Sequence, residues 1–154
     1  MAKLPKELLG LAGEYAVASQ LCRRGIYVQL TLGHHKKTDL LIESDTSFAR
    51  IQVKAKQGRE WPAIRGISSR YDFLVLVDLA GAKLLSPEYF ILDVNDWRGL
   101  VEEESRRKPE TQIDEYLTIR YPDGWIGLNV KPSMVTQFVD CWDKIADSLA
   151  QQDN

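Results

Sequence analysis

Long apolar runs are missing from this 154-residue chain. None approaches the roughly 20 consecutive apolar residues that a bilayer-spanning helix needs, so the chain reads as cytoplasmic. Cysteine is scarce: Cys22 and Cys141 are the two present. Both fall in segments that read as helices among apolar neighbours, where buried free thiols are expected instead of a disulfide framework or a metal pair. Histidine is equally rare. His34 and His35 are adjacent, cannot share one face of a helix or strand, and make a poor chelating pair. Excess charge of either sign is absent too, with 20 Lys and Arg against 22 Asp and Glu and a net charge of −2. Any polyanion-binding surface must therefore be a local patch. Repeats, low complexity and composition breaks are not found, so residues 1–154 read as one domain with a single core.

What is present is patterned. Pro5 opens a segment, residues 6–24, in which Leu8, Leu11, Ala12, Tyr15, Ala18 and Cys22 recur at helical spacing, with Gly25 as its C-terminal cap. Glu14 lies on the border of that stripe, as a core-edge carboxylate or a solvated one. Gly10 and Gly13 each cost about 1 kcal/mol relative to Ala inside a helix, which a close backbone approach would explain. Residues 26–32 alternate as a strand, and 71–79 form the nearly continuous apolar run of a strand buried on both faces. Another strand is expected over 88–94 and a helix over 95–108. In that helix Glu102, Glu103 and Glu104 precede Arg106, Arg107 and Lys108 on a solvated face. Residues 116–121 read as a short strand. A last helix, 133–149, carries Val135, Phe138, Val139, Trp142, Ile145, Ala146 and Leu149 in a stripe that is either core or a homodimer face.

The segment 38–56 is the centre of the reading. Thr38-Asp39-Leu40-Leu41-Ile42-Glu43, the turn residues Ser44 to Ser47, and Ala49-Arg50-Ile51-Gln52-Val53-Lys54-Ala55-Lys56 together predict a β-hairpin. On its second strand Ile51, Val53 and Ala55 point one way, and Arg50, Gln52, Lys54 and Lys56 the other. An acid, an amide and an ammonium from Asp39, Gln52 and Lys54 then converge at one end.

That constellation resembles the core of the PD-(D/E)XK nuclease superfamily, with Asp39 as the strand-start Asp, Gln52-Val53-Lys54 as the acid-x-Lys triplet and Glu14 as the acid on the first helix. Thr38 stands where the family has Pro, and Gln52 where it has an acid. The resemblance covers the first half of the chain. It implies an α/β (α+β) restriction-endonuclease-like fold, a mixed central sheet flanked by helices. It also implies a metal-dependent endonuclease acting on DNA phosphodiester bonds. The implied catalytic set is Glu14, Asp39, Gln52 and Lys54. Mg²⁺ or Mn²⁺ would be held by Asp39, Gln52, the Val53 carbonyl and Glu14, because Mg²⁺ takes hard oxygen ligands.

Residues expected to grip nucleic acid are His35, Lys36 and Lys37 ahead of the hairpin, Lys56 within it, and Arg59, Trp61 and Arg65 after it. Trp61 either stacks on a base or tucks onto the core. The competing reading is a nucleic-acid-binding module, or a protein-interaction subunit, that keeps the fold without hydrolysis. Gln52 favours that alternative.

Overall fold

The computed structural model describes residues 2–31 and 38–153, so His35, Lys36 and Lys37 lie outside the described residues. Helix α1 (Lys6–Arg23) is followed by β1 (Gln29–Leu30), β2 (Leu40–Glu43), β3 (Phe48–Lys56), β4 (Trp61–Ile64), β5 (Asp72–Asp78) and β6 (Glu88–Leu92). Then come α2 (Val94–Arg107), β7 (Gln112–Ile113), β8 (Ile119–Arg120), β9 (Leu128–Val130) and α3 (Asp143–Gln152). The main sheet has the order β1-β2-β3-β5-β6, with β3 and β5 parallel and the other pairs antiparallel. This is the mixed central sheet that the sequence implied. Two small ribbons, β4-β9 and β7-β8, stand apart from it. No helix among the described residues is long and apolar enough to cross a membrane.

The sheet divides the core in two. On one face Val17, Ala18 and Leu21 of α1, with Trp142 and Ile145, pack on Ile51, Val53, Val75 and Ile91. On the other, Trp61, Trp97, Val101, Ile119 and Leu128 pack on Leu74, Leu76 and Leu92. Strand β5 touches both, which is why its apolar run is unbroken.

Helix α1 ends as its sequence predicts. Gly25 takes φ 79° just past the cap, and the Gly25 and Ile26 amides donate to the Cys22 and Leu21 carbonyls at 3.0 Å each, a double bond that closes the last turn. Its buried face, however, is rotated from the expected stripe. Gly13, Val17, Ala18 and Leu21 are buried, whereas Leu8, Leu11, Tyr15 and Cys22 are exposed. The helix carries apolar residues on two sides, and steric fit selects between them. A Cβ on Gly13 would lie 2.8 Å from the Ala55 Cβ, so only glycine lets α1 come down onto β3 there. Gly10 meets nothing within 4 Å, and the close approach expected for it is not found.

Other expectations shift as well. The predicted 133–149 helix is two single 3₁₀ turns, Pro132–Met134 and Thr136–Phe138, and then α3. Between them Asp140 has φ 51° and its amide donates to the Tyr89 carbonyl, tying the chain to the sheet edge where a helix would have to leave it. Val135, Phe138, Trp142 and Ile145 of that stripe are buried as core in their own chain, while Val139 is exposed. Cys141 is a half-buried free thiol ahead of α3. Helix α2 begins at an Asp93–Asp96 capping box, and Glu104 on its charged side is buried beside Arg107 and Lys108.

Candidate active site

Asp39 sits where β2 parts from β3. Leu40 is paired with Ile51, and the Asp39 amide donates to the Ile51 carbonyl at 2.9 Å. One rung further, among the described residues, no β2-side backbone carbonyl meets the Val53 N–H. The Asp39 side chain takes its place, with Oδ2 accepting the Val53 N–H at 2.8 Å. Thr31 meets this segment from the other side, donating its amide to the Asp39 carbonyl and its hydroxyl to the Thr38 carbonyl. The carboxylate is thus fixed on the strand that carries Gln52 and Lys54, and the Val53 carbonyl leaves that strand on the same edge as the bonded N–H.

Gln52 and Lys54 face away from α1 and line a cleft of about 720 Å³ with Thr38, Arg50, Arg65, Asp72, Asp114 and Arg120. Gln52 is buried in its floor, while Lys54 is exposed. The far wall is built by strained backbone and one tryptophan. Ala63, at φ 51°, bulges β4 away from β9 and donates its amide to Asn129 Oδ1. Gly66, at φ 87°, lies so close to the Trp97 indole that a Cβ would fall 1.9 Å from the ring. The indole N–H donates to the Leu117 carbonyl, and the Thr118 hydroxyl donates to the Arg65 carbonyl, both at 2.9 Å. The β7-β8 ribbon is thereby docked against the segment that follows β4. Its turn is organised by Asp114, whose Oδ1 accepts the Tyr116 and Thr118 amides and whose Oδ2 accepts Arg120 Nε. Desolvation alone would raise the Asp114 pKa. The Thr118 and Tyr116 amides and Arg120 outweigh it, and the carboxyl ends below its ordinary value.

The structure therefore brings Gln52, Lys54 and Arg65 into one cleft and places Asp39 against Val53 beside them. Glu14 is half-buried on α1, next to the Gly13 contact with β3, and is not part of the cleft wall. Arg59 is exposed outside the cleft. Two expected surface contacts are interior. Lys56 is 4% exposed, with Nζ 2.9 Å from both Asp78 Oδ1 and the Gly58 carbonyl and 4.9 Å from the Trp61 ring centroid. Trp61 is 1% exposed and donates Nε1–H to the Val77 carbonyl. Register explains the first: Lys56 is opposite Asp78 on parallel β5, so a carboxylate is waiting where the strand face closes over.

Sequence reasoning left out Arg50, Asp72, Asp114 and Arg120 as site residues. Arg50 could have been found, being two residues from Gln52 on the same face. The position of Arg120 depends on where a ribbon docks, for which the sequence holds no local signal.

The oxygen donors present suit a hard cation. They are the Asp39 carboxylate, the Val53 carbonyl, the Gln52 side-chain oxygen and, from the other side of the sheet, Glu14. Among the described residues no group of three or more His, Cys, Asp or Glu gathers to hold a metal. Mg²⁺ would call for one or two of these carboxylates, with water completing its shell.

Residues 6–71, which contain Glu14, Asp39, Gln52 and Lys54, match the family model described as PD-(D/E)XK endonuclease. Among solved structures the chain is similar to that of the bacterial homing endonuclease I-Ssp6803I. The identity is 14% and the TM-score 0.56, covering 98% of this chain and 99% of that one. At that identity the likeness is one of fold. No curated protein matches the chain.

Proposed function

Taking residues 6–71 as a PD-(D/E)XK endonuclease core, we propose that the protein is a metal-dependent endonuclease that hydrolyses DNA phosphodiester bonds. The observation that carries this reading is the Asp39 carboxylate held on the Val53 amide, beside a cleft into which Gln52 and Lys54 open. Phosphodiesters resist attack because their anionic centre repels the nucleophile and the leaving oxyanion is poor. A bound Mg²⁺ or Mn²⁺ supplies charge neutralisation and a lowered pKa for its water. Asp39 would be the principal ligand, and Gln52, the Val53 carbonyl and Glu14 would contribute neutral or outer oxygen. Lys54 reaches the phosphate from the cleft floor, orienting the attacking water and offsetting charge as it develops. Arg65, on the far wall, holds the substrate backbone.

The test is a cleavage screen with Mg²⁺ and Mn²⁺ over duplex, single-stranded and branched DNA. Asp39→Ala is expected to abolish cleavage while DNA binding survives. Cleavage that persists in Asp39→Ala would refute the assignment.

The second reading is a DNA-binding module without hydrolysis, favoured by the neutral Gln52. Calorimetric metal titration of wild type and Gln52→Glu separates the two. The nuclease reading expects tighter Mg²⁺ and activity kept or raised in Gln52→Glu. The binding module expects no metal uptake in either protein and weaker DNA affinity in the variant. Cutting both strands of a duplex calls for two sites, and thus for a homodimer. With most of the C-terminal stripe buried, the exposed Leu8, Leu11 and Tyr15 of α1 offer an apolar surface to a second copy. Sedimentation showing a monomer with and without duplex DNA would refute that pairing.

A further inference from the structure

Two arginines in the cleft are held in the same way. Arg50 Nε is 2.7 Å from Asp72 Oδ1, while Asp72 Oδ2 accepts the Ser69 amide at 3.2 Å. Arg120 Nε is 3.1 Å from Asp114 Oδ2, while Asp114 Oδ1 accepts the Tyr116 and Thr118 amides at 2.9 and 3.1 Å. In each case an aspartate is anchored to the backbone of a turn by one oxygen and grips the inner nitrogen of a guanidinium with the other. Both arginines remain about half exposed, with side-chain accessibilities of 41% and 49%, whereas Asp72 and Asp114 are at 19% and 23%. Both pairs line the cleft that holds Gln52 and Lys54.

An isolated surface ion pair needs neither the second anchor nor a cleft, and contributes little. A guanidinium is a planar fork of five donors. Fixing it through Nε settles the plane and leaves the two terminal nitrogens as a preset edge, the shape that receives two oxygens of one phosphate. Lysine could supply the charge but not that edge.

Building on the nuclease reading, we infer that Arg50 and Arg120 are phosphate anchors for the substrate backbone. Asp72 and Asp114 act as positioning residues that preset their forks. Arg50, from the sheet, and Arg120, from the docked ribbon, seat two phosphates of the DNA so that a third reaches Lys54. Such contacts set register without reading sequence.

The experiment is fluorescence-anisotropy binding of duplex and single-stranded DNA in EDTA across a KCl series, with cleavage in Mg²⁺ measured in parallel. Each anchored phosphate contributes about 0.9 to the slope of log K against log salt for duplex and about 0.7 for single strands. Arg50→Ala and Arg120→Ala are each expected to lower the slope by about that amount. Arg50→Lys and Arg120→Lys are expected to restore the slope but only part of the affinity, since charge returns without the fork. If an alanine variant fails to fold, the glutamine variant carries the same test. An unchanged slope in folded Arg50→Gln and Arg120→Gln, with cleavage intact in wild type, would overturn the anchors and leave the nuclease standing. A slope that falls as expected, with no cleavage by wild type under any metal, would keep the anchors and overturn the nuclease. No DNA binding by wild type at low salt would overturn both.

Discussion

Lys54 and Lys56 stand two residues apart on one face of β3, and the fold treats them in opposite ways. Lys54 is exposed in the cleft and makes no ion pair among the described residues. Lys56 is enclosed by Asp78, the Gly58 carbonyl and the Trp61 ring. The difference lies in what covers the strand. Over Lys54 the β4 and β7-β8 segments arch away and leave solvent, whereas over Lys56 the first residue of β4 is an indole pressed against the sheet. Chemical identity and strand parity are the same in the two regions, and the roof decides which cation is open to solvent.

The largest effect that would break this contrast is on stability. Lys56→Ala should cost about 3–5 kcal/mol, because Asp78, 2% exposed, would lose its closest partner. Lys54→Ala should stay within about 0.5 kcal/mol of wild type, as exposed substitutions do. Urea unfolding of both variants checks the pair, and equal losses would dissolve the distinction. The next effect is kinetic. On the proposed function, Lys54→Ala should lower kcat by about 10²–10³-fold, or about 3–4 kcal/mol. Lys56→Ala, assayed at a temperature where it is folded, should retain its rate per folded molecule.

Two glycines sharpen the same contrast between a used and an unused position. Gly13→Ala should cost about 1–3 kcal/mol by forcing a methyl against Ala55. Gly10→Ala should stabilise by about 0.5–1 kcal/mol, since nothing lies near it and alanine is the better helix former. Thermal unfolding of the two variants reads the sign directly.

The smallest effect is on pH. Burial pushes the Asp78 carboxyl up, but Lys56, the Ala80 amide and Lys83 together hold it below its ordinary value. A carboxyl lowered in the folded state contributes stability that is complete above its unfolded value and lost as pH falls through the folded one. Wild type should therefore lose stability progressively below about pH 4. An Asp78→Asn variant, weaker at neutral pH, should show a flatter acid limb in denaturant titrations between pH 5 and pH 2.

Much of the fold was legible because local signals and tertiary packing agree there. The 38–56 hairpin has turn residues between alternating strands, and β5 has an apolar run that only a two-sided burial explains. Asp39, Gln52 and Lys54 followed from parity and from the resemblance they carry. What could not be read was set by contacts distant in sequence. The face of α1 was chosen by Ala55 beneath Gly13, against the broader stripe of Leu8, Leu11 and Tyr15. The interior fate of Lys56 required knowing that Asp78 lies in register beside it. The last helix broke because Asp140 is tied to Tyr89. Arg120 joined the cleft through Trp97, Leu117 and Thr118, none of which marks itself in the local sequence.

Trp97 has a consequence for how the chain can vary. Its indole touches Gly66 on one wall segment and is hydrogen-bonded to Leu117 on the other, while the ring is wholly buried against α2's own core neighbours. The two banks of the cleft are therefore pinned to one post. Substitutions at positions 66 and 97 unsettle both banks together, but exposed residues at the tips, such as Ser68 and Tyr116, change without disturbing the post. On the proposed function, substrate preference is therefore expected to be retunable by library selection at those tips, on a frame that stays in place.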